Sequence, residues 1–226
     1  MNKRFLPVFF ALAVSFPALA QIDPADTVEV EIPEMISEHV SEVEVCGFSS
    51  DGKYFVFSQV VPGDYNGGIG YVYVIDVATN NWAHKPAILE PENGDWSTPE
   101  IKDSLRYKRD SVLAKYKVKL GSVGRSFDLG SNNKVTVNSQ TYTIELNAPN
   151  NLIDLHLKGN GKDLILQKDK KLPASRGSVR SYRLWKAYAF GDKIAVFVEY
   201  DGDVQEGFEN SRYYNRKYIA VTAVVK

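Results

Sequence analysis

Apolar and polar positions along this chain alternate far more often than they recur at helical spacing, and the alternation predicts strands. Val40 to Val45 begins the pattern after an acidic, Pro-containing entry segment from Asp23 to Glu42. In Tyr54 to Gln59 apolar residues fall on both faces, which predicts an interior strand covered on each side. Ser50-Asp51-Gly52 supplies the tight turn before it. Tyr71-Val72-Tyr73-Val74-Ile75-Asp76 is its expected partner, closed by a turn and by Trp82, an aromatic placed to pack back on the sheet. A similar unit recurs at the far end, where Phe190-Gly191-Asp192-Lys193-Ile194-Ala195-Val196-Phe197 leads through an acidic loop into Tyr218-Ile219-Ala220-Val221-Thr222.

Between the two units lie further hairpins. Lys134 to Val137 and Thr141 to Leu146 flank Asn138-Ser139-Gln140, and Leu152 to Leu157 and Leu164 to Gln167 flank Gly159-Asn160-Gly161. Tyr182 to Phe190 pairs with Lys193 to Tyr200, and Arg216 to Val225 closes the chain. Helical spacing appears once. Ser97 or Thr98 is a fitting N-cap, Pro99 suits the first turn, and Ile101, Leu105, Val112, Leu113 and Tyr116 make an apolar stripe. One inserted amphipathic helix is therefore predicted at about 98–117, ended by Gly121 and Gly124, with Lys102, Arg106, Lys108, Arg109 and Lys115 on its solvated face. The fold class is mainly β, built of antiparallel hairpins, with no linker that divides it.

Composition adds limits. Lys3 and Arg4, the apolar run Phe5 to Phe16 and Ala18-Leu19-Ala20 form a signal peptide over residues 1–20, cleaved between Ala20 and Gln21. Residues 21–226 are then expected as one secreted, periplasmic domain. The apolar run is too short to span ~30 Å of hydrocarbon, and the rest of the chain offers no second run, so no membrane span is expected. Removing Lys3 and Arg4 takes the basic count from 27 to 25 against 28 acidic residues, a net charge of −3. Such a balance gives no footprint for nucleic acid. The single cysteine, Cys46, lies in an apolar run and is expected as a buried, inert thiol.

Candidate chemistry is sparse. His39, His84 and His156 have no metal-site spacing, and no Gly-x-Ser-x-Gly elbow occurs. The acidic loop beginning Asp201-Gly202-Asp203 departs from an EF-hand at its sixth and twelfth positions, leaving Asp201, Asp203 and Glu206 as candidate oxygen ligands for calcium; no other cofactor is implied. The same carboxylates, Asp201 or Asp203 with Glu206, are the candidate pair for a hydrolase of envelope polysaccharide or peptide. Tyr65, Phe208, Tyr213 and Tyr214, in or beside the two longest hairpin loops, offer an amphipathic surface for an envelope protein or a glycan.

Two resemblances follow from these residues. Gly47-Phe48-Ser49-Ser50-Asp51-Gly52-Lys53-Tyr54 with Tyr71 to Thr79 resembles one blade repeat of Tol-type and WD-like β-propellers. Only the C-terminal unit offers a second such blade, and propellers use at least four; propeller-blade-like sheets short of a complete propeller are the expectation. The signal peptide, the early hairpin, Val112-Leu113-Ala114-Lys115-Tyr116 and the ending Glu206-Gly207-Phe208-Glu209 before Arg216 to Val221 are similar to a bacterial family of predicted secreted proteins of unknown function. That likeness implies export and carries no catalytic residues. A non-enzymatic binding or scaffold protein using its long hairpin loops is the leading expectation, and the paired-carboxylate hydrolase is the alternative.

Overall fold

A strand with no polar face must be covered twice, and Tyr54–Pro62 shows how. In the computed structural model, which describes residues 36–63, 68–89, 98–172, 176–207 and 211–226, this segment is a strand whose interior is buried throughout. All described residues belong to the unit Met35–Lys226. The proposed signal peptide and the entry segment before Ile36 lie outside them.

Three sheets carry the described residues. The first contains β1 (Ile36–Val40), the second starts with β2 (Glu42–Phe48) and continues through β3 (Tyr54–Pro62), β4 (Gly68–Asp76) and β5 (Asn81–Trp82), with β6 (Ala87–Leu89) beside β4. Helix α1 (Thr98–Tyr116) follows. The first sheet then resumes with β7 (Arg125–Asp128), and β8 (Lys134–Val137), β9 (Gln140–Asn147), β10 (Asp154–Gly159) and β11 (Lys162–Lys168) form the third. The chain returns to complete the first sheet with β12 (Val179–Phe190), β13 (Lys193–Gly202), β14 (Gln205–Glu206) and β15 (Arg212–Val224). The fold is mainly β, largely antiparallel, with one sheet curled as a half-barrel, and it is not a complete propeller.

Side-chain parity sets the stacking, because neighbours on a strand point to opposite faces. On β3, Val56 and Val60 join Ile101, Leu105 and Leu113 of α1, while Phe55 and Phe57 face the first sheet. On β13, Ala195 and Phe197 meet those phenylalanines, and Ile194, Val196 and Val198 turn to the third sheet, against Val135, Ile144, Leu155 and Leu157. The layers therefore run helix, second sheet, first sheet, third sheet. The two sequence units, near opposite ends of the chain, pack face to face at the centre.

Local chemistry agrees with each element. Asn138 and Ser139 both adopt positive φ (48° and 63°) in the two-residue turn between β8 and β9, as a tight hairpin of this twist requires. Gly70 on β4 lies beneath the helix: a Cβ there would sit 3.0 Å from a Leu105 methyl, so the strand needs glycine for α1 to approach. The helix ends at Tyr116, within one residue of its predicted bound and ahead of both glycines. Lys117 takes φ 55°, and the Val118 N–H reaches back to the Leu113 carbonyl at 3.0 Å, a closure in which Val118 and Leu113 also share the core.

Two expectations are corrected here. Val40 to Val45 is not one strand: the chain leaves the first sheet at Ser41, and β1 pairs in parallel with β15 while β2 pairs antiparallel with β3. Arg109 is not on the solvated face. It follows Ile101 and Leu105 at four-residue spacing, is buried, and bonds Glu44 and Asp110. Cys46 is fully buried, and desolvation, with Glu44 adding to it, pushes its thiol up to about 12, which leaves it protonated and inert at neutral pH.

Candidate functional site

The second sheet and the edge of β15 border a cleft lined with aromatic side chains. Tyr71, Tyr73 and Ile75 occupy one face of β4, and Trp82 stands opposite Ile75 on β5. Tyr73 is the centre of a row of rings. Its centroid lies 4.6 Å from Phe57, 5.8 Å from Tyr71 and 6.2 Å from Trp82. Together with the Lys217–Ala220 stretch of β15 they line a cleft of about 360 Å³, within the size range of small-ligand sites. Trp82 is 49% exposed, which is high for so large an apolar side chain and marks the open wall of the cleft.

The cleft's polar groups are few and of one sign. Arg176, Lys85 and Lys217 line it, and among the described residues no carboxylate does. Arg176 is committed elsewhere, to Asp169 and, at 2.9 Å, to the Tyr182 hydroxyl. Lys217 is not: among the described residues nothing forms an ion pair or hydrogen bond with its amine, and burial pulls its pKa below the ordinary lysine range. The Tyr73 hydroxyl accepts from Gln59 Nε2 at 3.1 Å, and burial pushes this phenol up to about 12 despite that bond, so it stays neutral. An aromatic row beside a desolvated, unneutralised cation is an environment for an anion carrying apolar or planar surface.

No family model matches the chain, and no curated protein or solved structure matches it significantly.

The residues singled out from the sequence are placed differently. Tyr65 and Phe208 lie outside the described residues. Tyr213 is buried and stacks on His39, with centroids 4.4 Å apart and planes at 19°. Tyr214, its neighbour on β15, points to the opposite face, where its hydroxyl bonds Glu38 at 3.1 Å and Arg180 lies over its ring. These two tyrosines do not share a surface.

Asp201 is buried in a set of donors: Ser181 Oγ at 2.8 Å, Arg216 Nε at 2.9 Å and Arg183 Nη2 at 3.1 Å. Burial works to raise its pKa, but the bonds from Arg216 and Ser181 and the two guanidinium charges outweigh it and hold the carboxyl below its ordinary range. Asp203 and Glu206 are exposed. The structure does not gather these three into a ligand set, and among the described residues no group of three His, Cys, Asp or Glu side chains is placed to hold a metal ion.

His156 lies on the third sheet between two carboxylates, Asp163 at 2.6 Å from Nδ1 and Asp154 at 2.9 Å from Nε2. Both bonds need a ring N–H, so the imidazolium satisfies both at once. The Asp163 bond, aided by Asp154 and opposed by partial burial, raises the His156 pKa. The sign follows: this stabilisation is complete below the unfolded-state pKa of about 6.5 and is lost as pH rises through the higher folded value. NMR titration should show His156 titrating above ordinary histidine, and Asp163→Asn should lower its midpoint; an unmoved midpoint would contradict the pairing.

Proposed function

We propose that the protein is an exported, non-enzymatic binding protein whose ligand occupies the aromatic cleft between β4 and β15. One observation carries the reading: Tyr71, Tyr73 and Trp82 form a row of rings in the same cleft as the unpaired Lys217. Export rests on the charged start, apolar run and Ala18-Leu19-Ala20 of the sequence. Binding moves, in this reading, from the tips of the hairpin loops to the groove between the sheets.

The probe that tests it is 8-anilinonaphthalene-1-sulfonate, a planar organic anion. The native protein should bind one equivalent with enhanced fluorescence, and Trp82→Ala should weaken that binding about tenfold or more, in line with aromatic anchors elsewhere. Trp82 is half exposed, so the variant should keep its melting temperature. Unchanged affinity in a folded Trp82→Ala protein would remove the cleft assignment. Cell fractionation with N-terminal sequencing tests export separately; a mature chain beginning at Gln21 in the periplasm is expected.

A further inference from the structure

The outer edge of β15 describes the ligand more closely. β1 covers that edge only as far as Arg216, so from Lys217 onward no strand among the described residues lies beside it. Two side-chain amides take the place of one. The Gln59 carboxamide accepts from the Tyr218 N–H at 3.2 Å and donates to the Tyr218 carbonyl at 3.4 Å, the bonding that an adjoining strand would provide. Asn80 Oδ1 accepts from the Thr222 N–H at 2.8 Å. Outward-pointing groups alternate along a strand, so Ala220, midway between these two, also directs its N–H and C=O outward. Ala220 lines the cleft, and among the described residues nothing pairs with these two groups.

We infer, building on the cleft reading above, that the cleft receives the C-terminal end of an extended peptide. One peptide residue, running antiparallel to β15, exchanges both backbone bonds with Ala220. A peptide in that direction advances toward Tyr218 and Lys217. The Gln59 carboxamide already occupies the pairing position at Tyr218, so the peptide must end there, and its terminal carboxylate lies where the Lys217 amine can neutralise it. Lys217 lies three steps along the strand from Ala220, about 10 Å at 3.3 Å per residue, a distance that one further peptide residue and a lysine side chain bridge. The side chain of the residue paired with Ala220 shares that residue's face of the sheet and lies toward the Tyr71, Tyr73 and Trp82 rings. Asn80 closes the other side, so recognition is confined to the last residues of the partner. A donor and an acceptor side by side, an unpaired cation and an apolar wall are each matched by this one ligand.

The experiment is calorimetric titration of the full mature chain with three probes: N-acetyl-leucyl-phenylalanine as the free acid, its C-terminal carboxamide, and the analogue in which an ester oxygen replaces the leucine N–H. The free acid should bind at least about tenfold more tightly than the carboxamide, as expected for a desolvated charge-assisted contact. Lys217→Met, checked by its melting temperature, should erase that difference, and Lys217→Arg should restore part of it. The ester should bind severalfold more weakly than the acid. Equal binding of acid and carboxamide, or a preference that survives Lys217→Met, overturns the inference. If glucuronic acid displaces the fluorescent anion from the cleft and the peptides do not, the peptide assignment falls while the cleft remains a binding site. If neither the anion nor the peptides bind, both readings fall.

Discussion

Asp169→Ala is expected to destabilise the protein by about 3–5 kcal/mol, the cost of leaving a buried charge without its partner. Arg176 and Asp169 have side chains only 5% and 3% exposed, and they pair directly. The pair is held at both ends. Gln167 Nε2 donates to Asp169 at 2.7 Å, Asn80 Nδ2 donates to Gln167 at 2.8 Å, and Arg176 Nη1 donates to Tyr182 at 2.9 Å. This chain of bonds runs from the turn after β4, through the third sheet, to β12 of the first. Alanine would leave the guanidinium buried, with its remaining bond to a neutral phenol. Urea unfolding measures the loss, and the double variant Asp169→Ala/Arg176→Met should recover a large part of it, since an apolar replacement of both members removes the stranded charge. A single-variant loss below about 1 kcal/mol would place the pair in the class of exposed ion pairs and defeat the argument.

Phe197→Ala is the second large effect, again about 3–5 kcal/mol, as for other fully buried aromatics cut to alanine. Phe197 has no solvent exposure and is the meeting point of the two central sheets. Its ring lies 5.1 Å from Phe57, 5.9 Å from Phe55, 5.6 Å from Trp185 and 5.9 Å from Tyr188, mostly edge-on. Rings supplied by two rigid sheets cannot close the void by shifting one side chain. Phe197→Leu should lose less, because it keeps most of the volume; if the two variants unfold at the same urea concentration, cavity formation is not the cause.

Much of this architecture could be read from local pattern. The two-faced apolar run at Tyr54 to Gln59 identified an interior strand because parity alone decides which side chains need cover. Asn138-Ser139 and Asn160-Gly161 marked their hairpins because few residues accept positive φ. Arg109 was legible in principle, since its place in the stripe of Ile101, Leu105 and Leu113 is a matter of spacing. The break at Ser41 was not. Val40 to Val45 skips one beat at Ser41-Glu42, a skip that suits a bulge as well as a break, and what divides the run is the choice of two distant partners, β15 for one half and β3 for the other. The cleft was half legible for the same reason. Tyr71, Tyr73 and Ile75 share a face by alternation, but nothing near them announces Lys217 or the exposed edge at Ala220. The loop tyrosines drew notice as aromatic residues among polar ones, whereas in the fold Tyr213 is consumed by packing on His39.

The parallel pairing of β1 with β15 has a temporal consequence. Glu38 and Tyr214, which touch across it, are 176 residues apart in the chain. Closing so long a loop costs entropy that is repaid only when the strands meet, and folds dominated by such contacts form slowly. β15 lies between β1 and β13, so β7, β12 and β13 can pair without it, whereas β1 cannot join the first sheet until β15 is in place. A chain that emerges from its N-terminal side first, at a ribosome or through a translocation pore, therefore holds β1 unpaired until β15 has followed it.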